Sequence, residues 1–288
     1  MMSFRPMPIA DAEALLRWYL DAGVDEAIGE APVNRYDGYE SIADLPTPAL
    51  PMEASGELPR PPRGEPLPLE AASPRAAARA APAAGGMAAV EDAVALAARA
   101  NTLDDVRAAL AGFDGCPLSR TATNLVFGDG NPQARLVLIG EAPGAEEDRR
   151  GLPFVGPSGR LLDKMLASIA LDRSNVFITN TIFWRPPGNR SPTSSEVAAC
   201  MPFVERIVEL IDPQLLVALG GPAAVAMLGV AESVSRLRGR WFSYQTPRMP
   251  RPIAATALFH PAYLLRSPAQ KRLAWRDLLA IKGRIAQD

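Results

Sequence analysis

Histidine is almost absent: the 288-residue chain holds one, His260. Any chemistry that needs an imidazole must use it. Cysteine is nearly as scarce. Cys116 and Cys200 cannot build a disulfide framework, and their number predicts a reducing, cytoplasmic setting. Long apolar runs are missing too. The longest, residues 215–230, is cut by Gly220-Gly221-Pro222 and falls short of the ~18 residues that span a membrane. Residues 1–8 carry neither a basic start nor a continuous apolar stretch, so no secretory signal is expected. A large net charge is absent as well, the formal value being −2. What remains is 48% hydrophobic and 22% charged, which excludes a wholly disordered chain and predicts a packed core.

The small net charge conceals a division. Residues 1–112 hold 9 Lys and Arg against 17 Asp and Glu, whereas residues 113–288 hold 21 against 15. Residues 233–276 contain no acid but nine cations, among them Arg238, Arg240, Arg251 and Arg266. A stretch of one sign suits a polyanion, and predicts a single basic surface for nucleic acid.

Composition also divides the chain into regions. Residues 1–45 form an acidic extension with helical apolar spacing over 9–22. Ten prolines fall within residues 46–82, so 46–87 reads as a linker. Residues 88–112 return to helical spacing and divide at Asn101-Thr102, where Thr102 with Asp105 suits an N-cap. Residues 113–288 then alternate short apolar runs (135–139, 175–179, 214–219 and 253–259) with helical stretches (158–170, 194–210, 222–228 and 268–286). That rhythm predicts an α/β fold: a doubly wound, mainly parallel four-stranded sheet with helices on both faces.

Ligands of such sheets bind beyond the carboxyl ends of the strands. The residues there are Gly140 and Glu141, Asn180, Gly220 and Gly221, and His260. A carboxylate, an amide, two small turns and the only imidazole are thus expected along one edge.

The loops at that edge carry the motifs GEAPGAEED (140–148) running to GLPFVG (151–156), TNT (179–181) with RPPGNR (185–190), and HPAYLLR (260–266). In this order and spacing they closely resemble the family 4 uracil-DNA glycosylases of bacteria and archaea, over about residues 113–285. The resemblance implies a monofunctional glycosylase of DNA repair. It would hydrolyse the N-glycosidic bond of uracil in DNA and leave an abasic site. Glu141 and His260 would be catalytic, the first toward water and the oxocarbenium-like sugar, the second toward charge gathering on the leaving base. Gly140, Ala142, Phe154 and Asn180 would hold uracil. Phe154 would stack on the ring, and the Asn180 amide would match uracil's N3–H and O4. Tyr263, Leu264, Leu265 and Arg266 would form an apolar, cationic loop that enters the DNA. Glu146, Glu147 and Asp148 are expected to cap and order their own loop.

Two departures from the family pattern stand out. Ala262 replaces a usual serine, removing a hydroxyl contact. More importantly, family members usually hold a [4Fe–4S] cluster on four cysteines. Here Cys116 and Cys200 match two of those positions, and Phe113 and Trp184 occupy the others. Two thiolates cannot hold such a cluster, so none is expected, nor any other metal or cofactor. The expected partner is uracil-containing DNA, for a monomer with no membrane association; the partner of the N-terminal extension is left open. Two rival readings remain: a non-catalytic uracil- or DNA-binding module, and a glycosylase for another deaminated base. A hydrolase of free nucleotides fits the basic stretch and the leucine loop less well.

Overall fold

The structure, a computed structural model, describes residues 70–71 and 84–286. The expected helix over 9–22 and all of the proline-rich stretch except Glu70 and Ala71 lie outside the described residues. The strands are β1 (Glu70–Ala71), β2 (Asp129–Gly130), β3 (Leu136–Gly140), β4 (Val176–Asn180), β5 (Leu215–Leu219), β6 (Phe242–Tyr244) and β7 (Ile253–Leu258). The helices are α1 (Ala84–Arg99), α2 (Leu103–Ala111), α3 (Ala145–Arg150), α4 (Pro157–Ala167), α5 (Ser194–Ile211), α6 (Gly221–Leu228), α7 (Val234–Leu237), α8 (Pro261–Arg266) and α9 (Lys271–Ile285).

The four strands expected from the apolar runs are β3, β4, β5 and β7. They lie side by side and parallel in the order β7-β5-β3-β4. The sheet is larger than expected. Antiparallel β2 extends it beyond β4, antiparallel β6 beyond β7, and β1 adds a parallel edge on β6. These additions have two or three residues each, too few for a repeating pattern to show. One of them, β1, comes from inside the stretch expected to be a linker.

Each central strand is buried on both faces, so its residues divide by period two. Val137 and Ile139 of β3, with Leu216 and Ala218 of β5, pack beneath α1, α2, α5 and α6. Leu136 and Leu138, with Leu215, Val217 and Leu219, face α4, α8 and α9. The helices therefore cover both faces, as a doubly wound sheet requires. Thr102 caps α2 in a reciprocal box with Asp105, which ends α1 and redirects the chain. Among the described residues no helix is long and apolar enough to cross a membrane.

Candidate active site

The carboxyl edge of the sheet opens into a cleft of about 680 Å³, the size of a small-molecule site. Gly140 and Asn180 are register partners at the ends of β3 and β4. Thr181 ties the two loops beyond them: its N–H donates to the Gly140 carbonyl (2.9 Å) and its hydroxyl to the Glu141 carbonyl (2.7 Å). Glu141 is thereby held at the cleft wall. The Asn180 side chain is buried, yet neither its amide nitrogen nor its oxygen has a hydrogen-bond partner within the protein. Buried polar atoms are rarely left unpaired, so this donor–acceptor pair lining the cleft is available to a ligand.

Two glycines make room for this arrangement. A Cβ on Gly140 would lie 2.4 Å from Asn180 Oδ1 and 2.6 Å from the tip of the Phe154 ring. Gly220 has φ +94°, and a Cβ there would press on His260. The Phe154 ring is 5.6 Å from the imidazole, centroid to centroid, and both line the cleft.

His260 follows β7 and caps α8. The Ala262 N–H donates to His260 Nδ1 at 3.1 Å, so Nδ1 is an acceptor and Nε2 carries the proton of the neutral ring. Burial, aided by the Arg266 cation and opposed by the Glu147 carboxylate, pushes the imidazole down to about 4. At neutral pH the cleft is thus lined by an uncharged imidazole whose remaining donor is Nε2–H.

The acidic residues after Glu141 divide their tasks. Glu147 accepts the N–H groups of Val155 and Gly156, both at 2.9 Å. Asp148, buried, accepts those of Thr123 and Asn124 at 2.8 and 3.1 Å. Glu146 is half-buried and pairs with Arg149. The RPPGNR loop supplies another wall through Pro186, Asn189 and Arg190, the last held by Glu196 in a two-pronged ion pair. Glu147, Ser158 and Ser191 also line the cleft without having been singled out as binding residues; the motif that contains Glu147 was the available signal.

The HPAYLLR segment departs from expectation. It forms the helix α8 rather than a loop, because His260 caps it and Pro261 at its first position presets φ. Helical spacing then turns Leu264 inward, at 1% exposure against the α4 and α9 side of the core. Leu265 is 42% exposed, and Tyr263 and Arg266 line the cleft. Leu264 is therefore a core residue, and Leu265 is the leucine open to a partner.

The basic stretch is likewise not one surface. Arg238 is paired with Asp277, Arg240 with Glu232 and Arg251 with Asp212. Arg251 precedes β7 whereas His260 follows it, so the two stand beyond opposite ends of a strand about 20 Å long at ~3.3 Å per residue. Glu232 and Asp277, which flank the stretch directly, and Asp212 from before it pair cations that the count within the stretch left unpaired.

Phe113, Cys116, Trp184 and Cys200 are all buried in the same core cluster, Cys200 from within α5. The neighbouring Cys116 and burial together push the Cys200 thiol upward, which keeps it protonated. The Phe113 ring meets Phe203 edge-on at 5.2 Å, and Trp184 meets Phe183 edge-on at 6.3 Å. Two thiols among packed aromatic rings do not fit a [4Fe–4S] cluster, which takes four thiolates.

The fold and site define a doubly wound α/β protein whose carboxyl edge presents an unpaired amide, a neutral imidazole and a flat aromatic ring in one cleft. A family profile described as the Uracil DNA glycosylase superfamily matches residues 127–279, and the chain belongs to that superfamily. Within it, the chain is 41% identical over 171 residues to a type-4 uracil-DNA glycosylase of Archaeoglobus fulgidus, covering 58% of this chain and 85% of that one. It is 38% identical to a type-4 uracil-DNA glycosylase of Thermotoga maritima, over 60% of this chain and 89% of the relative. A type-5 uracil-DNA glycosylase of Thermus thermophilus is 35% identical over a shorter stretch, 36% of this chain and 53% of the relative.

Proposed function

We propose that the protein hydrolyses the N-glycosidic bond between uracil and deoxyribose in DNA, releasing the base for repair. The observation that carries this reading is the buried, unpartnered Asn180 amide facing the cleft. Its nitrogen and oxygen form a donor–acceptor pair that matches O4 and N3–H of uracil. Cytosine, with an amino group at that carbon, would leave both sides mismatched, at a cost of ~1–3 kcal/mol for each unmet buried group.

The chemistry follows from the remaining groups. Extruded from the stack, the base lies against Phe154. As the bond from C1′ to N1 breaks, its electron pair leaves with the base and charge gathers on O2. His260 Nε2–H donates to that oxygen, and a donor already neutral and oriented by Ala262 N–H needs no rearrangement. The Glu141 carboxylate stabilises the cationic sugar and orients a water. That water adds to C1′ and gives its proton to the Glu141 carboxylate, from which a proton passes to the departed uracil anion, completing the abasic product and the free base. Arg266 takes a phosphate, and Leu265 fills the space the base has left. No step requires a metal, and the aromatic core around Cys116 and Cys200 is read as replacing a cluster structurally. The purified protein should then be colourless, with no stoichiometric iron by metal analysis; about four irons per chain would contradict this.

Single-turnover assays on oligonucleotides carrying uracil, hypoxanthine or cytosine at one position test the function. Release of uracil alone, with an alkali-labile abasic site, is the expected result. Tight binding without release would indicate a recognition module, and faster release of hypoxanthine another substrate.

A further inference from the structure

Phe154 has φ +53°, a left-handed conformation disfavoured for a bulky residue. Two side chains from other parts of the chain grip the turn that holds it there. Arg173 donates through Nη2 to the Phe154 carbonyl, and through Nη1 to the Pro153 carbonyl at 3.1 Å. From the other side, Glu147 accepts the next two N–H groups, those of Val155 and Gly156. The guanidinium is itself fixed, by Asp129 at 2.7 Å and by Asp163 at 2.9 Å. Gly159 completes the grip: a Cβ there would lie 1.6 Å from the Phe154 carbonyl oxygen. The turn is therefore pinned at its carbonyls, its amides and its packing face.

Strained backbone persists only where its surroundings enforce it, and such sites concentrate where function needs a preset geometry. This one aims the ring between Gly140 and His260. We propose that Arg173 is a positioning residue for base excision, acting through Phe154 by holding its backbone left-handed so that the ring meets the extruded base beside Asn180 and His260. This rests on the reading that Phe154 stacks on uracil. Arg173 touches neither base nor sugar; its effect passes through the carbonyls of Pro153 and Phe154.

A double-mutant cycle on the full chain tests it. Arg173→Met should slow single-turnover uracil release roughly 10–100-fold, the scale of a misplaced contact. In a Phe154→Ala background the same substitution should change the rate less than about threefold, because the group it acts through is gone. Arg173→Lys keeps the charge but loses the two-pronged grip on the carbonyls, and should remain slow. Equal factors in both backgrounds would overturn the proposal and leave Arg173 a structural tie. A second readout needs no activity: the Phe154 Cα and Cβ chemical shifts should lose their left-handed signature in Arg173→Met, and unchanged shifts would overturn the clamp. Should Arg173→Met fail to fold, Gly159→Ala displaces the same carbonyl and is read in the same two ways. Failure of the wild type to release uracil would overturn the proposed function instead, while the shifts would still decide the clamp.

Discussion

A lone imidazole with its Nδ1 occupied by a backbone amide has one proton to offer, on Nε2. That state has a consequence for stability. Unfolded, the ring titrates near its ordinary 6.5; folded, near 4. Between these values the unfolded chain binds more protons, so the contribution of neutral His260 is complete above 6.5 and is lost as pH falls toward 4. At ~1.4 kcal/mol per pH unit, a drop from pH 7 to 4.5 should cost the wild type roughly 2–3 kcal/mol more than His260→Gln, which does not titrate there. Urea unfolding at the two pH values reads this difference; equal losses would mean the ring is not buried as a neutral donor. His260, Glu141 and Asn180 were legible as cleft residues because each stands at the carboxyl end of a strand, whereas Phe154, beyond α3, was legible only through the family resemblance. Arg173 was not. Its partners are carbonyls 19 and 20 residues away, and a guanidinium that binds backbone leaves no sequence pattern.

Among the elements, the buried parallel strands were legible because a strand covered on both faces is a continuous apolar run. The edge strands β1, β2 and β6 were not, being two or three residues long and stabilised by pairing rather than by composition. The segment α8 misled for another reason. Tyr263, Leu264 and Leu265 are apolar in sequence regardless of which one faces the core, and only the helical turn set by His260 and Pro261 separates them. Leu264→Ala should therefore destabilise the fold by about 2–4 kcal/mol, as a buried truncation does. Leu265→Ala should leave stability within about 0.5 kcal/mol. It should instead slow excision from duplex more than from single strands, which have no pair to break. Thermal unfolding together with rates on both substrates separates the two. A destabilised Leu265→Ala beside an untroubled Leu264→Ala would reverse the assignment.

At the scale of the whole molecule, charge counted along the sequence did not survive folding as one surface, because acids from other elements neutralise part of it. Arg266 lies at the cleft mouth and makes no ion pair among the described residues; Arg251 lies at the opposite end of β7. DNA affinity should fall steeply with salt, and Arg266→Ala should flatten the logarithmic slope by about one phosphate contact. Arg251→Ala should leave the slope unchanged, and an equal effect of the two would restore the single basic face. The central proposal is that the carboxyl edge of the sheet acts on the base it holds. The most direct test compares wild type with His260→Ala on one uracil-containing duplex, measuring single-turnover release at saturating enzyme alongside affinity. The rate in His260→Ala should be lower by about 100-fold or more, the scale for losing one such donor, with affinity changed less than about threefold. An undiminished rate, or a loss carried entirely by affinity, would contradict it.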